Sequence, residues 1–472
     1  MMNPEINPSQ FPSRRALLKT ISSGFGFLAF SSLATLAKAR DDKSGSSNNP
    51  LASKDPHFPA KAKRVIFLCM RGGPSHVDTF DYKPELIKNH GKTGKFRGSI
   101  LKSPWDFPAC GESGLRISEL FPSLGQQADK LCLLRGMNTD LPVHPRALTQ
   151  MHTGNAQFVR PSLGAWTLYG LGTENDSMPG FVSVNPGAGN AQTYGSSFLP
   201  AIYQGTKLSG SRGGGRMRGA SASSGGGIPD IANPRLNSRQ QRQQLEFIQK
   251  LNYEKLRREK EHPGVEGVIE SYELAFRMQA EMPDLLDLSK EDQKTLDLYG
   301  IGQGETDKFG KQCLLARRMS ESGVRFIEIS HDNWDTHFNM TTRLPQLCNQ
   351  IDKPIAGLLE DLQRRGLLDE TLVIWAGEFG RTPYAQGADG RDHNNKGYTT
   401  WMAGGGVKGG FSYGGTDDLG AVAVDGKCHI HDWHATILHL LGLNHAELTY
   451  RYAGRDFRLT DVYGNVMKDI IA

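Results

Sequence analysis

Three apolar runs of strand length, Arg64–Met70, residues 324–330 and residues 371–377, each end at or just before a tight group of glycines, acids and histidines. Helical spacing separates the later two: Leu314, Leu315 and Met319 fall within 307–322, which stops before Gly323, as a helix C-terminus does. A second helical stretch, 344–365, closes at Gly366, and residues 131–137 and 399–403 supply further strands. This β-α-β-α order predicts an α/β fold, a doubly wound and mostly parallel sheet with helices on both faces. In such sheets ligands collect outside the carboxyl ends of strands, where the acids and histidines stand here.

The middle of the chain breaks the alternation. Residues 209–227 are mostly Gly, Ser and Arg, too poor in apolar groups to pack, and predict a flexible loop. Residues 237–260 and 265–282 then have a charged, glutamine-rich helical pattern. The expectation is one α/β domain over 61–472, interrupted by a helical insertion at about 185–305.

The first 39 residues carry an address. Arg14-Arg15 precedes an apolar stretch at 21–36, and Ala37-Lys38-Ala39 offers a cleavage site, the pattern of a twin-arginine signal peptide. Gly24, Gly26 and several serines interrupt the stretch, which is short for a membrane span, so no stable span is expected after cleavage. A periplasmic or extracellular destination follows, with residues 40–60 as a disordered linker. The formal net charge of +5 falls to about +2 once residues 1–39, with Arg14, Arg15, Lys19 and Lys38 against Glu5, are set aside. That leaves no basic face to suggest a nucleic acid partner. The six cysteines are scattered without a C-x-x-C pair, and buried thiols are expected, one disulfide remaining open.

Four segments carry the chemistry. Residues 72–81 read Gly-Gly-Pro-Ser-His-Val-Asp-Thr-Phe-Asp, with His76 and Asp78 on one face if extended. Asp78 suits either a metal ligand or a turn residue. Residues 331–337, His-Asp-Asn-Trp-Asp-Thr-His, form the strongest local signal: Asp335 and His337 are the expected ligands, with His331 and Asp332 behind them. Glu378 stands between glycines, as a ligand or a helix cap, and Arg381 suits either an anion or a salt bridge to Glu378 or Asp392. His393 completes the set in a Gly/Asn-rich loop. Carboxylate and imidazole donors suit a divalent cation such as zinc, manganese or calcium. The histidines at 429–445 are expected mostly to pack a helix capped by Asp432.

These segments, in this order and together with Asp-Trp-His-Ala-Thr-Ile-Leu-His-Leu-Leu-Gly-Leu at 432–443, resemble a bacterial family known as domain of unknown function 1501, of the alkaline phosphatase and sulfatase superfamily. The resemblance runs from about Arg64 to Ala472. It implies an alkaline phosphatase-like fold carrying one or two divalent metals, held by Asp78, Asp335 (or Asp332), His337, Glu378 and His393. His144-Pro145-Arg146 is similar to the sulfatase segment that holds a nucleophile and an anion-binding arginine. Here that stretch lacks the usual Cys, Ser or Thr, and Thr139 is the nearest hydroxyl. A hydrolase that activates water at the cation, without a covalent intermediate, tolerates that loss. The expectation is an exported, metal-dependent hydrolase of sulfate or phosphate esters, on small molecules or polysaccharides. Arg146 and Arg381 would neutralise charge on the transferred group, and His144 or His76 would protonate the leaving oxygen. The alternative is a metal-stabilised binding protein that keeps the fold without turnover.

Overall fold

The computed structural model describes residues 49–93, 98–187, 191–208, 236–259 and 263–472. The expected signal peptide and the 209–227 loop lie outside them, as does the linker up to residue 48. The remainder of that linker packs against the body. Leu51 is buried, the Lys54 amide donates to the Leu171 carbonyl, and the Phe58 amide donates to that of Gly442. Leu51 and Phe58 give this short stretch enough apolar surface to hold it down.

The central sheet is built from β1 (Arg64–Met70), β2 (Leu131–Asn138), β3 (Phe181–Val184), β4 (Thr206–Leu208), β5 (Phe326–His331) and β6 (Thr371–Ala376). A hairpin follows, β7 (Gly380–Gln386) and β8 (Gly390–Asn394), before the chain returns through β9 (Tyr398–Ala403), β10 (Phe411–Tyr413) and β11 (Cys428–His429). The sheet order is β10-β2-β9-β6-β1-β5-β3-β4, with β11 also on β2. Only β9 runs against its neighbours; the other pairings in this sheet are parallel. The fold is α/β with a mostly parallel central sheet, as its alternation predicts. β4 lies within the stretch expected as a helical insertion, so that stretch gives the sheet an edge strand as well as helices.

Buried on both faces, β1 and β6 are almost wholly apolar, which is what parallel central strands require. The longer helices are α1 (His144–Thr153), α2 (Leu163–Leu171), α3 (Ser238–Glu259), which packs on α4 (Pro263–Leu286), then α5 (Asp307–Glu321), α6 (Met340–Arg364) and α7 (Ile430–Leu440). α7 is capped by the His429 side chain, while Asp432 sits in its first turn and accepts from the His429 amide. The expected cap is thus the other half of a reciprocal capping pair.

Register aligns the carboxyl ends of three central strands. Cys69 on β1 lies level with Ser330 on β5 and Ala376 on β6, so the segments that follow each strand emerge side by side. Beneath them Trp375 packs edge-on to Phe80 and Trp334, with ring centroids 5.0 and 6.3 Å away, and stacks on Trp401 at 6.3 Å. Because Trp334 precedes Asp335, this aromatic floor supports the loop above it. Trp375→Ala is expected to cost about 3–5 kcal/mol in equilibrium urea unfolding. A loss below about 1 kcal/mol would show that the floor is not under compression-tight packing.

Candidate metal centre

The loop after β5 presents Asp335 and His337, β8 presents His393, and the first residue of α1 presents His144. One ligand atom from each of the four lies within 4.8 Å of the others. The Asp335 Oδ1 atom is 3.0 Å from His337 Nε2, 3.3 Å from His144 Nε2 and 3.5 Å from His393 Nε2. The Nε2 atoms of His337 and His393 are 2.9 Å apart.

What orients these rings is on their far sides. His144 Nδ1 donates to Glu378 Oε1 at 2.6 Å, and His393 Nδ1 donates to the Pro142 carbonyl at 2.7 Å. His337 Nδ1 meets Gln386 Oε1 at 2.5 Å. A carbonyl and a carboxylate can only accept, so the Nδ1 atoms of His144 and His393 carry protons and their Nε2 atoms are lone pairs when the rings are neutral. With these rings neutral, the His144 and His393 lone pairs converge with His337 Nε2 on one carboxylate oxygen, whose hydrogen-bond donor is the Arg381 guanidinium behind it. His144 Nε2 is moreover buried without a hydrogen-bond partner among the described residues. A divalent cation resolves the conflict, and tethered imidazoles are how protein metal ligands are usually held.

The charges agree with this arrangement. Burial alone would raise the Asp335 carboxyl; the hydrogen bond and charge of Arg381, with His144 and His337, outweigh it and bring it down to about 2. Burial would lower the His144 imidazole, but the hydrogen bond and charge of Glu378, with Asp335, raise it above its ordinary value. His393 is lowered, chiefly by burial and then by the charges of Arg381, His144 and His337.

Of the expected ligands, Asp335, His337 and His393 come together. Glu378 stands behind them: buried, it accepts from His144 and from the Gly72 amide at 3.0 Å, and a strand follows it where a helix to cap was allowed for. Gly72 permits this closeness. Its φ is +116°, and a Cβ there would stand 2.6 Å from the Asp335 amide nitrogen. Asp78 is not in the group. Its two oxygens are bridged by the buried Arg391 guanidinium at 2.6 and 3.1 Å, and Ser75 donates to it as well. His76 is likewise elsewhere, buried with Nε2 at 2.8 Å from the Gly420 carbonyl.

Arg381 is fully buried and donates to the carbonyls of Gly72, Gly73 and Arg391 and to Asp335 at 2.5 Å. Burial and these partners leave it to orient Asp335, with no face for a substrate anion. His144, expected as an acid, belongs to the ligand group instead. Arg146, two residues on, is exposed. Thr139 is buried and donates to Gln150 Oε1 at 2.9 Å, so its hydroxyl is already committed. His393 lies on a strand of the hairpin, not in a loop: β8 pairs with β7 so that His393 faces Arg381, across a bulge after Arg391. The roles of Arg391, Gln386 and the Pro142 carbonyl are not read from the sequence, although Arg391 stands with His393 in Gly-Arg-Asp-His-Asn and Pro142 stands two residues before His144.

Fold and site together define an α/β protein with a candidate metal centre at the carboxyl end of its sheet. The model of the family described as Protein of unknown function (DUF1501) matches residues 62–471, and the chain belongs to that family. None of the curated proteins matches it. Among solved structures it is similar to a lipoteichoic acid synthase, LtaP, from Listeria monocytogenes (8% identity, 88% of this chain and 78% of that one, TM-score 0.38). It is also similar to the PsFucS1 sulfatase from Pseudoalteromonas sp. (14%, 89% and 72%, TM-score 0.34) and to an alkaline phosphatase from the Antarctic bacterium TAB5 (12%, 81% and 98%, TM-score 0.35). Likenesses this remote fix neither activity nor substrate.

Two substitutions separate the roles. Glu378→Gln should weaken zinc binding about 10–100-fold, as losing an outer partner of a metal-bound histidine does, read by competition with a chromogenic chelator. Asp78→Ala should instead cost about 3–5 kcal/mol of stability, because it strands the buried Arg391 charge, while the affinity of the folded chain for added zinc should not change. Loss of zinc at unchanged stability would make Asp78 a ligand.

Proposed function

We propose that the chain is an exported, metal-dependent hydrolase of sulfate or phosphate esters. The observation that carries this reading is the convergence of three tethered imidazole nitrogens on the Asp335 carboxylate. His144, Asp335, His337 and His393 would hold the cation. Three nitrogens and one oxygen favour zinc or manganese over calcium, which takes six to eight oxygens. A cation so held supplies Lewis-acid polarisation of an ester oxygen and an acidified water.

The chain's own groups prepare that chemistry. Glu378, Gln386 and the Pro142 carbonyl fix the rings, and Arg381 fixes Asp335. Arg146, exposed in the first turn of α1 two residues after His144, is the guanidinium proposed to meet an anionic sulfuryl or phosphoryl group. Since the Thr139 hydroxyl is committed to Gln150, hydrolysis without a covalent intermediate is the route these residues favour. The same commitment is what favours the second reading, a metal-stabilised binding protein without turnover. The export assignment rests on residues 1–39, outside the described residues. Among those described, no helix is long and apolar enough to cross a membrane.

Zinc- and manganese-loaded chain assayed on aryl sulfate and aryl phosphate tests the proposal. Turnover should appear on at least one ester, and His337→Ala, which leaves the Asp335–Arg381 pair intact, should remove it along with the metal. Full occupancy with no turnover on either ester would support the binding protein. The pH dependence has a definite sign. Because Glu378 raises His144, a proton competes with the cation below that raised pKa, so zinc affinity should be full above it and fall as pH drops through it and on through the ordinary imidazole range. An affinity independent of pH across that window would remove His144 from the ligand set.

A further inference from the structure

A second group of donors lies inside the protein, beneath α1. Cys69 on β1, Glu328 on β5 and His152 in the last turn of α1 are all buried, and one ligand atom from each lies within 4.8 Å of the others. Register sets them on one face: Cys69 is level with Ser330, and Glu328 is level with Phe67 and with Ser183 of β3. The His152 ring covers that face, 5.6 Å from the Phe67 ring.

The hydrogen bonds there do not close. His152 Nδ1 donates to the Leu148 carbonyl at 2.8 Å, which makes Nε2 a lone pair in the neutral ring. That lone pair stands 3.3 Å from Glu328 Oε1, an oxygen to which Ser330 already donates at 3.2 Å. Glu328 Oε2, His152 Nε2 and the Ser183 hydroxyl are each buried without a hydrogen-bond partner among the described residues. With the ring neutral, an acceptor aimed at an acceptor in so buried a setting is strongly unfavourable unless something positive, a proton or a metal ion, joins them.

We propose that Cys69 Sγ, His152 Nε2 and the Glu328 carboxylate form a second, closed metal site that holds a zinc-type cation and clamps α1 onto β1 and β5. A proton on His152 would bridge one nitrogen to one oxygen and leave Glu328 Oε2 and the thiol unused. A cation engages all three side chains. Burial pushes the Cys69 thiol well above its ordinary pKa, with Glu328 adding to the shift; a coordinated metal reverses this by taking the thiolate directly. Sulfur, nitrogen and oxygen donors in a closed setting suit a structural role, and a site so enclosed would be filled as the chain folds.

The sulfur makes the site separable from the candidate centre above it, whose four donors are nitrogen and oxygen. The full chain refolded with cobalt(II) should bind two ions and show a near-ultraviolet sulfur-to-cobalt charge-transfer band. Cys69→Ser should lose the band and one ion, whereas the doubly substituted His337→Ala, His393→Ala chain should lose one ion and keep the band. Should Cys69→Ser not fold, X-ray absorption on the wild-type zinc form decides: a sulfur shell at about 2.3 Å supports the site, and nitrogen and oxygen shells alone overturn it. One ion per chain in the wild type, or a band that survives Cys69→Ser, also overturns it and leaves a buried imidazolium–carboxylate pair. None of these outcomes depends on ester turnover, so the hydrolase reading stands or falls separately.

Discussion

The contact between the buried Arg381 guanidinium and Asp335 holds the upper end of this molecule together. A buried charge must be paired and hydrogen-bonded, or its desolvation is ruinous. Arg381 meets that demand with Asp335 and with carbonyls from the Gly72-Gly73 turn and from β8. Three segments distant in sequence are thereby fastened at one point. The same contact fixes the carboxylate around which the imidazoles are arranged, so the ligand geometry is inherited from an ion pair in which one partner, Asp335, is itself a candidate ligand.

The hairpin shows how the fastening extends. β7 and β8 lie off the central sheet, yet β8 must deliver His393 to within 3.5 Å of Asp335. Arg381 from one strand and Arg391 from the other both reach down into the α/β body, the second onto Asp78 and the carbonyl of Leu101. Two buried guanidiniums on adjacent strands act as pegs, and the bulge between Arg391 and His393 lets one residue point inward to a carboxylate while the next histidine faces the metal group.

Much of this was legible in the sequence, and the failures share one cause. Apolar runs ending at groups of glycines, acids and histidines marked β1, β5 and β6, because strands buried on both faces tolerate little else. Asp335, His337 and His393 stood out because they crowd short segments just past strand ends. Asp78 looked equivalent, but an acid is a ligand or an ion-pair partner according to what faces it, and its partner lies 313 residues away. The roles given to Arg381 and His76 fail for the same reason: burial is a property of the assembled sheet, and neither residue's neighbours in sequence reveal it. His144 reads as an acid in the sequence because nothing near it in the chain announces Glu378, 234 residues on.

The two histidines of α1 show how position along a helix selects a side chain's task. His144 is the first helical residue, so no carbonyl of its own helix lies four residues back to receive Nδ1. Its ring must find an acceptor elsewhere, and Glu378 from the end of β6 supplies one, which turns Nε2 outward to the strand ends. His152, eight residues and about 12 Å further along the axis, has a full turn behind it and uses the Leu148 carbonyl. Its ring is thus oriented by the helix alone, and Nε2 turns inward to Glu328. One helix therefore presents two imidazole lone pairs to two carboxylate-bearing sites, the outer set by a tertiary contact and the inner by secondary structure. Any movement of α1 along its axis would disturb both, so holding the inner end to β1 and β5 is also what keeps His144 in register with Asp335.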